Sequence, residues 1–306
     1  MKESGCSRGL TTSPAPPAPP ARPAGLLGDT PARDYSRKLR LFNEFAEREL
    51  RAAIATLSPG PGMRILDAGC GSGGALPWLA QAVCGEPCAR GRGLVVGLEL
   101  ACAHAAEARA ATRGQVAVVQ ADLTRPPLRQ AVFDLVWSVN TINHLRDPLA
   151  GTRALISLVR PGGRIALGQS ALLPEMYFAW DAQLERRVHA AVHRYYCKRY
   201  GLDERELAKV RSLLRLLLDT DLRNVAVRTF VIERTQPLSP ADEAYLLECI
   251  FLGTWGGGER LRPYLSTEEH AELARLCDPQ DEAFALRRPD FHFLQTFTLA
   301  VGEIER

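Results

Sequence analysis

The chain has 306 residues, of which 46% are hydrophobic and 24% are charged, a composition typical of globular proteins. This length allows one large domain or two small ones. The formal net charge of +3 gives no electrostatic case for binding to nucleic acid or to a membrane surface. We therefore expect a small-molecule ligand and no nucleic-acid partner.

The sequence shows none of the patterns that place a chain in a membrane or in an oxidising compartment. It has no run of about 20 apolar residues, and its N-terminus lacks the apolar core of a signal peptide. Its eight cysteines do not show the paired spacing of a zinc site. These features predict a cytoplasmic protein with free thiols, no membrane span and no bound metal.

The N-terminal part divides into a tail and a helix. Residues 1–33 are rich in proline and alanine and predict a disordered tail, so that the folded part spans 34–306. Apolar residues at helical spacing predict one helix over 36–57. The Pro/Gly-rich residues 58–62 end it.

Strands and helices alternate along the next hundred residues. The predicted strands cover 63–66, 94–99, 116–120, 133–138 and 164–167, and the predicted helices cover 75–84, 101–112 and 148–159. Alternation of this kind predicts an α/β fold with a doubly wound parallel sheet and helices on both faces. Ligands of such sheets bind at the carboxyl ends of the strands.

The most informative stretch is residues 65–74, in which a buried strand leads through Asp67 into a glycine-rich turn. The turn carries Gly69, Gly71, Gly73 and Gly74. This spacing also satisfies the dinucleotide fingerprint, so the glycines alone leave NAD(P) open. A carboxylate beside a loop without Lys or Arg argues against a phosphate and favours a ligand with a positive end, such as S-adenosylmethionine. Cys70 is expected to be a small turn residue and not a reactive thiol.

Polar residues also follow the next three predicted strands. Glu99 ends the second strand, where a carboxylate can accept both hydroxyls of a ribose. Asp122 follows the third strand and can accept the amino group of adenine, while Leu123 offers an apolar edge to the ring. Asn140 ends the fourth strand. Its side chain either holds a ligand or satisfies the loop backbone.

These features in this order resemble the class I (Rossmann-like) S-adenosylmethionine-dependent methyltransferases of the small-molecule (type-11/type-25-like) group. The resemblance rests on the acid-plus-glycine loop, on Glu99 and Asp122, on the strand from Phe133 with His144 behind it, and on the turn at 158–163. It implies S-adenosyl-L-methionine as cofactor and a mostly parallel seven-stranded sheet whose last strand lies antiparallel beside the fifth. The implied cofactor-binding residues are Asp67, Gly69, Cys70, Gly71, Gly73, Glu99, Leu100, Asp122, Leu123 and Asn140.

Beyond residue 169 the pattern becomes mainly helical. Helices are predicted at 175–200, 203–218, 240–252 and 267–276, and strands at 225–233 and 291–302. In the resembling fold, the helices within 171–222 and 236–289 would form a substrate-side cap. Aromatic residues in the cap suit a small organic substrate or ordinary core packing. Trp255 precedes three glycines and suggests a mobile loop that closes over a ligand. The basic, aromatic residues 194–200 suggest a solvated helix face, with an anion or nucleic-acid contact as the alternative.

The predicted activity is methyl transfer to a small organic acceptor at oxygen, carbon or nitrogen, with a natural-product or quinone-like substrate. His144 is the candidate base, and its alternative role is to orient the loop after the fourth strand. Tyr35 and Arg37 are expected to reach the methionine end of the cofactor. A cofactor-binding protein without turnover and an NAD(P)-dependent oxidoreductase are the competing functions. The sequence leaves the oligomeric state open, with a homodimer as one option.

Overall fold

The structure is a computed structural model that describes residues 35–84, 93–171, 177–178, 180–201 and 212–305. The predicted disordered tail lies outside these residues, as does most of the predicted helix at 203–218. The helices are α1 (Ser36–Phe45), α2 (Glu47–Thr56), α3 (Leu76–Val83), α4 (Cys102–Ala111), α5 (Pro148–Ile156), α6 (Ala182–Tyr200), α7 (Leu213–Leu218), α8 (Pro240–Tyr245) and α9 (Thr267–Cys277). The strands are β1 (Arg64–Ala68), β2 (Leu94–Glu99), β3 (Ala117–Gln120), β4 (Phe133–Val139), β5 (Val159–Ser170), β6 (Tyr177–Phe178), β7 (Arg223–Thr235) and β8 (His292–Glu303).

All the described strands belong to one sheet. Its seven longer strands have the order β3-β2-β1-β4-β5-β8-β7, and the two-residue β6 pairs with β8 on the side of β5. Strands β1 to β5 are parallel, and β8 lies antiparallel between β5 and β7. The predicted fold class and the antiparallel placement of the last strand are therefore confirmed.

The register of the parallel strands brings their carboxyl ends to one edge of the sheet. Asp67 in β1 pairs with Gly97 in β2 and with Trp137 in β4. Glu99, the last residue of β2, pairs with Gln120 at the end of β3. The central strands are apolar along most of their length because helices cover both faces of a parallel sheet.

The segment 36–57 forms two helices and not the single predicted one. The break falls at Ala46, whose φ of −100° and ψ of 11° leave the helical region. Ala46 is fully buried, and its N–H still donates to the carbonyl of Phe42. The bend lets α1 cross the carboxyl edge of the sheet while α2 packs against β7.

The cap consists of α6, α8 and α9 together with a π-helical segment (Leu246–Thr254) and a 3₁₀ segment (Gly256–Tyr264). Trp255, between these segments, is fully buried. Its ring stacks on those of Phe251 and Trp180, with centroids 5.2 and 5.3 Å apart. The expectation that Trp255 closes over a ligand is therefore wrong, because its side chain is part of the cap core.

A buried arginine joins α2, β7 and α8. The guanidinium of Arg234 donates to both carboxylate oxygens of Glu49 at 3.0 and 3.1 Å and to Asp242 at 2.7 Å, and it lies 4.7 Å above the ring of Phe45. The Arg234 and Glu49 side chains are only 12% and 5% exposed. Burial by itself would raise the pKa of Glu49, but Arg234 holds it below its ordinary value.

We expect Arg234→Ala to lower the free energy of unfolding by about 3–5 kcal/mol. The variant removes the cation that Glu49 and Asp242 share and leaves Glu49 with only the exposed Arg48. Urea unfolding followed by circular dichroism measures this loss. The control is Arg215→Ala, which removes an exposed i,i+4 pair with Asp219 and should cost less than about 1 kcal/mol. Equal losses in the two variants would contradict the role given to Arg234.

Candidate active site

Two buried carboxylates meet at the carboxyl ends of β1 and β2. Asp67 is 3% exposed and Glu99 is 8% exposed. The charge of Glu99 acts on Asp67 and contributes to the raised pKa of its carboxyl group. The sequence prediction that these acids converge at one edge of the sheet agrees with the structure.

The carboxylate of Glu99 is anchored on both of its oxygens. Oε2 accepts the N–H of Gly71 at 2.9 Å, and Oε1 accepts the N–H of Ala101 at 2.8 Å. The imidazole of His104 lies 3.8 Å from Oε1. Burial alone would raise the pKa of Glu99, but His104 and the two backbone donors hold it below the ordinary value. Glu99 is therefore ionised at neutral pH.

Asp67 has a different environment from Glu99. Among the described residues, none donates a hydrogen bond to its carboxylate and none forms an ion pair with it. Burial raises the pKa of Asp67 to about 8, and the charge of Glu99 contributes in the same direction. The site thus holds a buried acid without a counter-charge.

The glycine-rich turn is covered by two side chains that the sequence analysis did not single out. At Gly69, where φ is +79°, an added Cβ would collide with the side chain of Thr141. At Gly71, where φ is +54°, an added Cβ would lie 3.0 Å from Leu39 on α1. Both positions need glycine for their conformation and for these close contacts. Helix α1 therefore forms a roof over the turn.

Two further residues of the turn face α4 and the sheet. Gly73 approaches the backbone of Ala108 in α4. The thiol of Cys70 lies against Gly97 in β2, and burial raises its pKa far above the ordinary value. Cys70 is thus a buried thiol, as expected for a turn residue.

The residues predicted to hold the adenine lie further along the same edge. Asp122 is exposed, and its Oδ1 accepts the N–H and the hydroxyl of Thr124, both at 2.8 Å. Leu123 and Leu100 are half-buried. The second carboxylate oxygen of Asp122 has no hydrogen-bond partner among the described residues. The contacts of Asp122 and Leu123 with adenine stay a prediction.

Asn140 adopts a left-handed conformation directly after β4, with φ of +52°. Its Oδ1 accepts both the N–H and the hydroxyl of Ser170, each at 2.8 Å. The sequence left open whether the Asn140 side chain holds a ligand or bonds within the protein. The structure shows a contact within the protein, in which Asn140 joins the ends of β4 and β5.

His144 ends a short 3₁₀ turn (Ile142–His144) after β4. Its side chain is exposed to solvent, although the neighbouring protein partly desolvates the imidazole. This environment lowers its pKa; the charge of Lys38 lowers it further and that of Glu99 opposes the change. Its imidazole makes no hydrogen bond to any described residue. His144 is therefore neutral at pH 7 and open to a ligand.

The structure also shows roles for residues near the start of α1. The backbone N–H of Tyr35 donates to Nε2 of the buried His104 at 3.0 Å. Arg37, which was expected at the methionine end, donates instead to Glu248 of the π-helical segment at 2.6 Å. His104 stands in no recognisable motif, so only the fold reveals that it connects the roof to Glu99.

Residues 66–167, which run from β1 into β5, match the family model described as "Methyltransferase domain". This match, the strand order and the paired acids define a class I S-adenosylmethionine-dependent methyltransferase domain. The resemblance inferred from the sequence is confirmed.

Curated proteins that are similar to this chain are named as methyltransferases. The malonyl-[acyl-carrier protein] O-methyltransferase of Enterobacter lignolyticus is 36% identical over 48% of this chain and 55% of its own length. A ubiquinone biosynthesis O-methyltransferase of Ruegeria pomeroyi is 33% identical over 36% of this chain and 42% of its own length. The chain thus spans about half the length of the curated relatives it matches. The structure of Haemonchus contortus phosphoethanolamine N-methyltransferase 2 with S-adenosyl-L-methionine aligns at 16% identity and a TM-score of 0.46, over 84% of this chain and 53% of that one.

Two features are absent from the described part of the chain. No helix there is long and apolar enough to cross a bilayer. No group of three or more His, Cys, Asp or Glu side chains there could hold a metal ion.

We expect Asp67→Asn to stabilise the cofactor-free protein. In the folded protein the pKa of Asp67 is about 8, against an ordinary value of 3.8, so the folded state binds the proton more tightly than the unfolded chain. The wild type therefore loses stability as the pH rises from about 4 to about 8. Since asparagine cannot ionise, the variant should be more stable by about 2–5 kcal/mol near pH 8 and by little near pH 4.

Urea unfolding of both proteins across this pH range measures the difference. Asp219→Asn, a change at an exposed carboxylate, serves as the control. An advantage of Asp67→Asn that stays constant with pH would show that the carboxylate has a partner.

Proposed function

We propose that this protein transfers a methyl group from S-adenosyl-L-methionine to a small organic acceptor. The observation that carries the proposal is the buried Asp67 carboxylate, which has no counter-charge and lies beside the ionised Glu99. Leaving such a charge uncompensated is costly, and a cationic ligand would offset that cost. S-adenosylmethionine carries an ammonium and a sulfonium.

The residues along the strand edge suit the remaining parts of this cofactor. Glu99 is held ionised and can accept ribose hydroxyls through lone pairs that its backbone donors leave free. Asp122 and Leu123 follow on the neighbouring strand and suit the adenine. When bound, the cofactor supplies an activated methyl group, so the protein's own task is to position the acceptor and exclude water.

His144 is the proposed general base for an oxygen or carbon acid. Its lowered pKa keeps the imidazole neutral and able to accept a proton at neutral pH. Its position after β4, at the edge where the parallel strands end, and its electrostatic interaction with Glu99 support this role. The two curated relatives described above are named as O-methyltransferases, which supports an oxygen acceptor.

The carboxylates disfavour the oxidoreductase alternative. A dinucleotide would bring its diphosphate to the turn between β1 and α3, where phosphates normally meet N–H groups and a positive dipole. Here two acids lie beside that turn, and residues 69–74 contain no basic side chain. The repulsion between the diphosphate and Glu99 argues against NAD(P) at this position.

We expect S-adenosylhomocysteine, which keeps the ammonium group, to bind more tightly as the pH rises from about 6 to about 8, because binding requires ionised Asp67. Asp67→Asn should weaken binding by about 1–3 kcal/mol and remove this pH dependence. Isothermal titration calorimetry measures both effects, with Asp219→Asn as the control. Binding of NAD in place of the nucleoside would overturn the proposal.

We expect His144→Gln to lower kcat by about 10²-fold or more and to flatten the acid limb of the pH–rate profile, while S-adenosylhomocysteine affinity stays unchanged. The assay is S-adenosylhomocysteine formation with a panel of phenols and quinols. A small loss of rate with an unaltered pH profile would assign His144 to positioning. No turnover by the wild type with any acceptor would favour a binding protein.

A further inference from the structure

We propose that His104, on α4, is a positioning residue of the cofactor site that acts through the carboxylate of Glu99. Its imidazole directs an N–H at Glu99, because a contact at the start of the roof helix α1 fixes the tautomer of the ring. This inference rests on the proposed function, in which Glu99 accepts the ribose hydroxyls of S-adenosyl-L-methionine. It identifies a residue that lies behind the ribose acid and yet contributes to cofactor affinity.

His104 is a buried polar residue on an otherwise apolar helix face. It lies in the first turn of α4, the helix that follows the end of β2 and its Glu99. Its side chain is 1% exposed, and the other buried residues of α4 are Ala105 and Ala108. Burying an imidazole costs desolvation free energy that an apolar side chain avoids, unless the ring nitrogens find partners. The contacts of the two nitrogens therefore indicate what this residue does.

The two ring nitrogens of His104 contact two different parts of the site. Nε2 accepts the backbone N–H of Tyr35, the residue before α1, at 3.0 Å. Nδ1 lies 3.8 Å from Oε1 of Glu99. Because a backbone N–H can only donate, Nε2 must present its lone pair, and the proton of the neutral ring is then on Nδ1. The contact with Tyr35 therefore selects the tautomer whose N–H faces Glu99.

The orientation of the Glu99 carboxylate depends on its donors. The last torsion of a glutamate side chain is soft, so donors to the oxygens are needed to hold one orientation. The N–H groups of Gly71 and Ala101 supply two of them, at 2.9 and 2.8 Å. The Nδ1–H of His104 is directed at the same carboxylate from α4. Its distance of 3.8 Å is longer than a hydrogen bond, and such contacts in ligand-free sites often shorten when the ligand binds.

The roof helix contacts α4 through a buried and an exposed pair of residues. The buried pair is Tyr35 with His104, and the carbonyl of Tyr35 also accepts the N–H of Leu39 at 2.9 Å in the first turn of α1. The exposed pair is Arg40 with Glu107, whose charged atoms lie 3.7 Å apart. The buried pair thus links the roof to Glu99, whereas the exposed pair joins the same two helices without reaching the site and provides a control.

The first test measures the affinity for S-adenosylhomocysteine by isothermal titration calorimetry. His104→Leu removes both ring nitrogens, and we expect it to weaken binding by about 10- to 100-fold, the range of a hydrogen bond to a charged group. The control Glu107→Gln removes the exposed pair and should bind within about twofold of the wild type.

Two amide variants separate the two nitrogens of His104. The amide of His104→Asn lies near the position of Nδ1 and can donate to Glu99, so this variant should recover most of the lost affinity. The amide of His104→Gln lies near the position of Nε2, where it can accept the N–H of Tyr35 without reaching Glu99. We expect His104→Gln to bind S-adenosylhomocysteine as weakly as His104→Leu.

The second test asks whether the effect of His104 passes through Glu99. In a Glu99→Gln background the carboxylate is gone, so His104→Leu should cause little further loss of affinity, because the two substitutions remove one shared interaction. Nitrogen-15 NMR of the wild type reports which ring nitrogen carries the proton. We expect the proton of His104 on Nδ1, with a resonance that moves downfield when S-adenosylhomocysteine binds and the contact with Glu99 shortens.

The other outcomes overturn the inference. Unchanged affinity in His104→Leu, or equal losses in the two Glu99 backgrounds, would show that His104 does not act through Glu99, and a proton on Nε2 would contradict the tautomer. If circular dichroism shows that His104→Leu is unfolded, the two amide variants and the wild-type spectrum decide. Normal binding by the wild type with no effect of His104 refutes this inference alone, whereas failure of the wild type to bind S-adenosylhomocysteine refutes the proposed function as well.

Discussion

Repulsion between two buried carboxylates at adjacent strand ends is the constraint on which the rest of the site depends. The parallel register of β1 and β2 brings Asp67 and Glu99 together, and neither can move without breaking the ladder. Two backbone donors and His104 stabilise the charge of Glu99. The carboxylate of Asp67 has no such partner among the described residues. At neutral pH the proton that Asp67 retains relieves this repulsion. A cationic ligand would take the place of that proton, which is the physical basis of the cofactor proposal.

The roof helix α1 connects this pair of acids to the cap. The N–H of Tyr35 reaches the histidine that supports Glu99, and Leu39 closes over the glycine-rich turn. On the cap side, Arg37 pairs with Glu248. The break at Ala46 makes these contacts compatible with the packing of α2 on β7, because a continuous helix could not follow both surfaces. The cofactor crevice and the cap are therefore joined through one short helix.

The sequence predicted the parts of the structure that depend on local pattern. Buried parallel strands are continuous apolar runs, so the alternation of strands and helices over 63–168 predicted the parallel sheet. The acids at the strand ends predicted the edge of the sheet at which they meet. Contacts between residues distant in sequence could not be predicted: Leu39 meets Gly71, and Arg234 holds Glu49, only after the chain has folded. His104 is a lone histidine on an alanine-rich helix, and nothing in its neighbours in the sequence distinguishes it.

The position of α1 has a consequence for how the two ligands influence each other. Leu39 faces the turn where the cofactor is proposed to bind, and Arg37 holds Glu248 of the π-helical segment. A rigid helix cannot move one of these side chains without moving the other, so any displacement that admits the nucleoside also shifts the contact with the cap. An acceptor that binds against the cap is therefore linked to the cofactor, and by reciprocity each ligand changes the affinity for the other by the same factor.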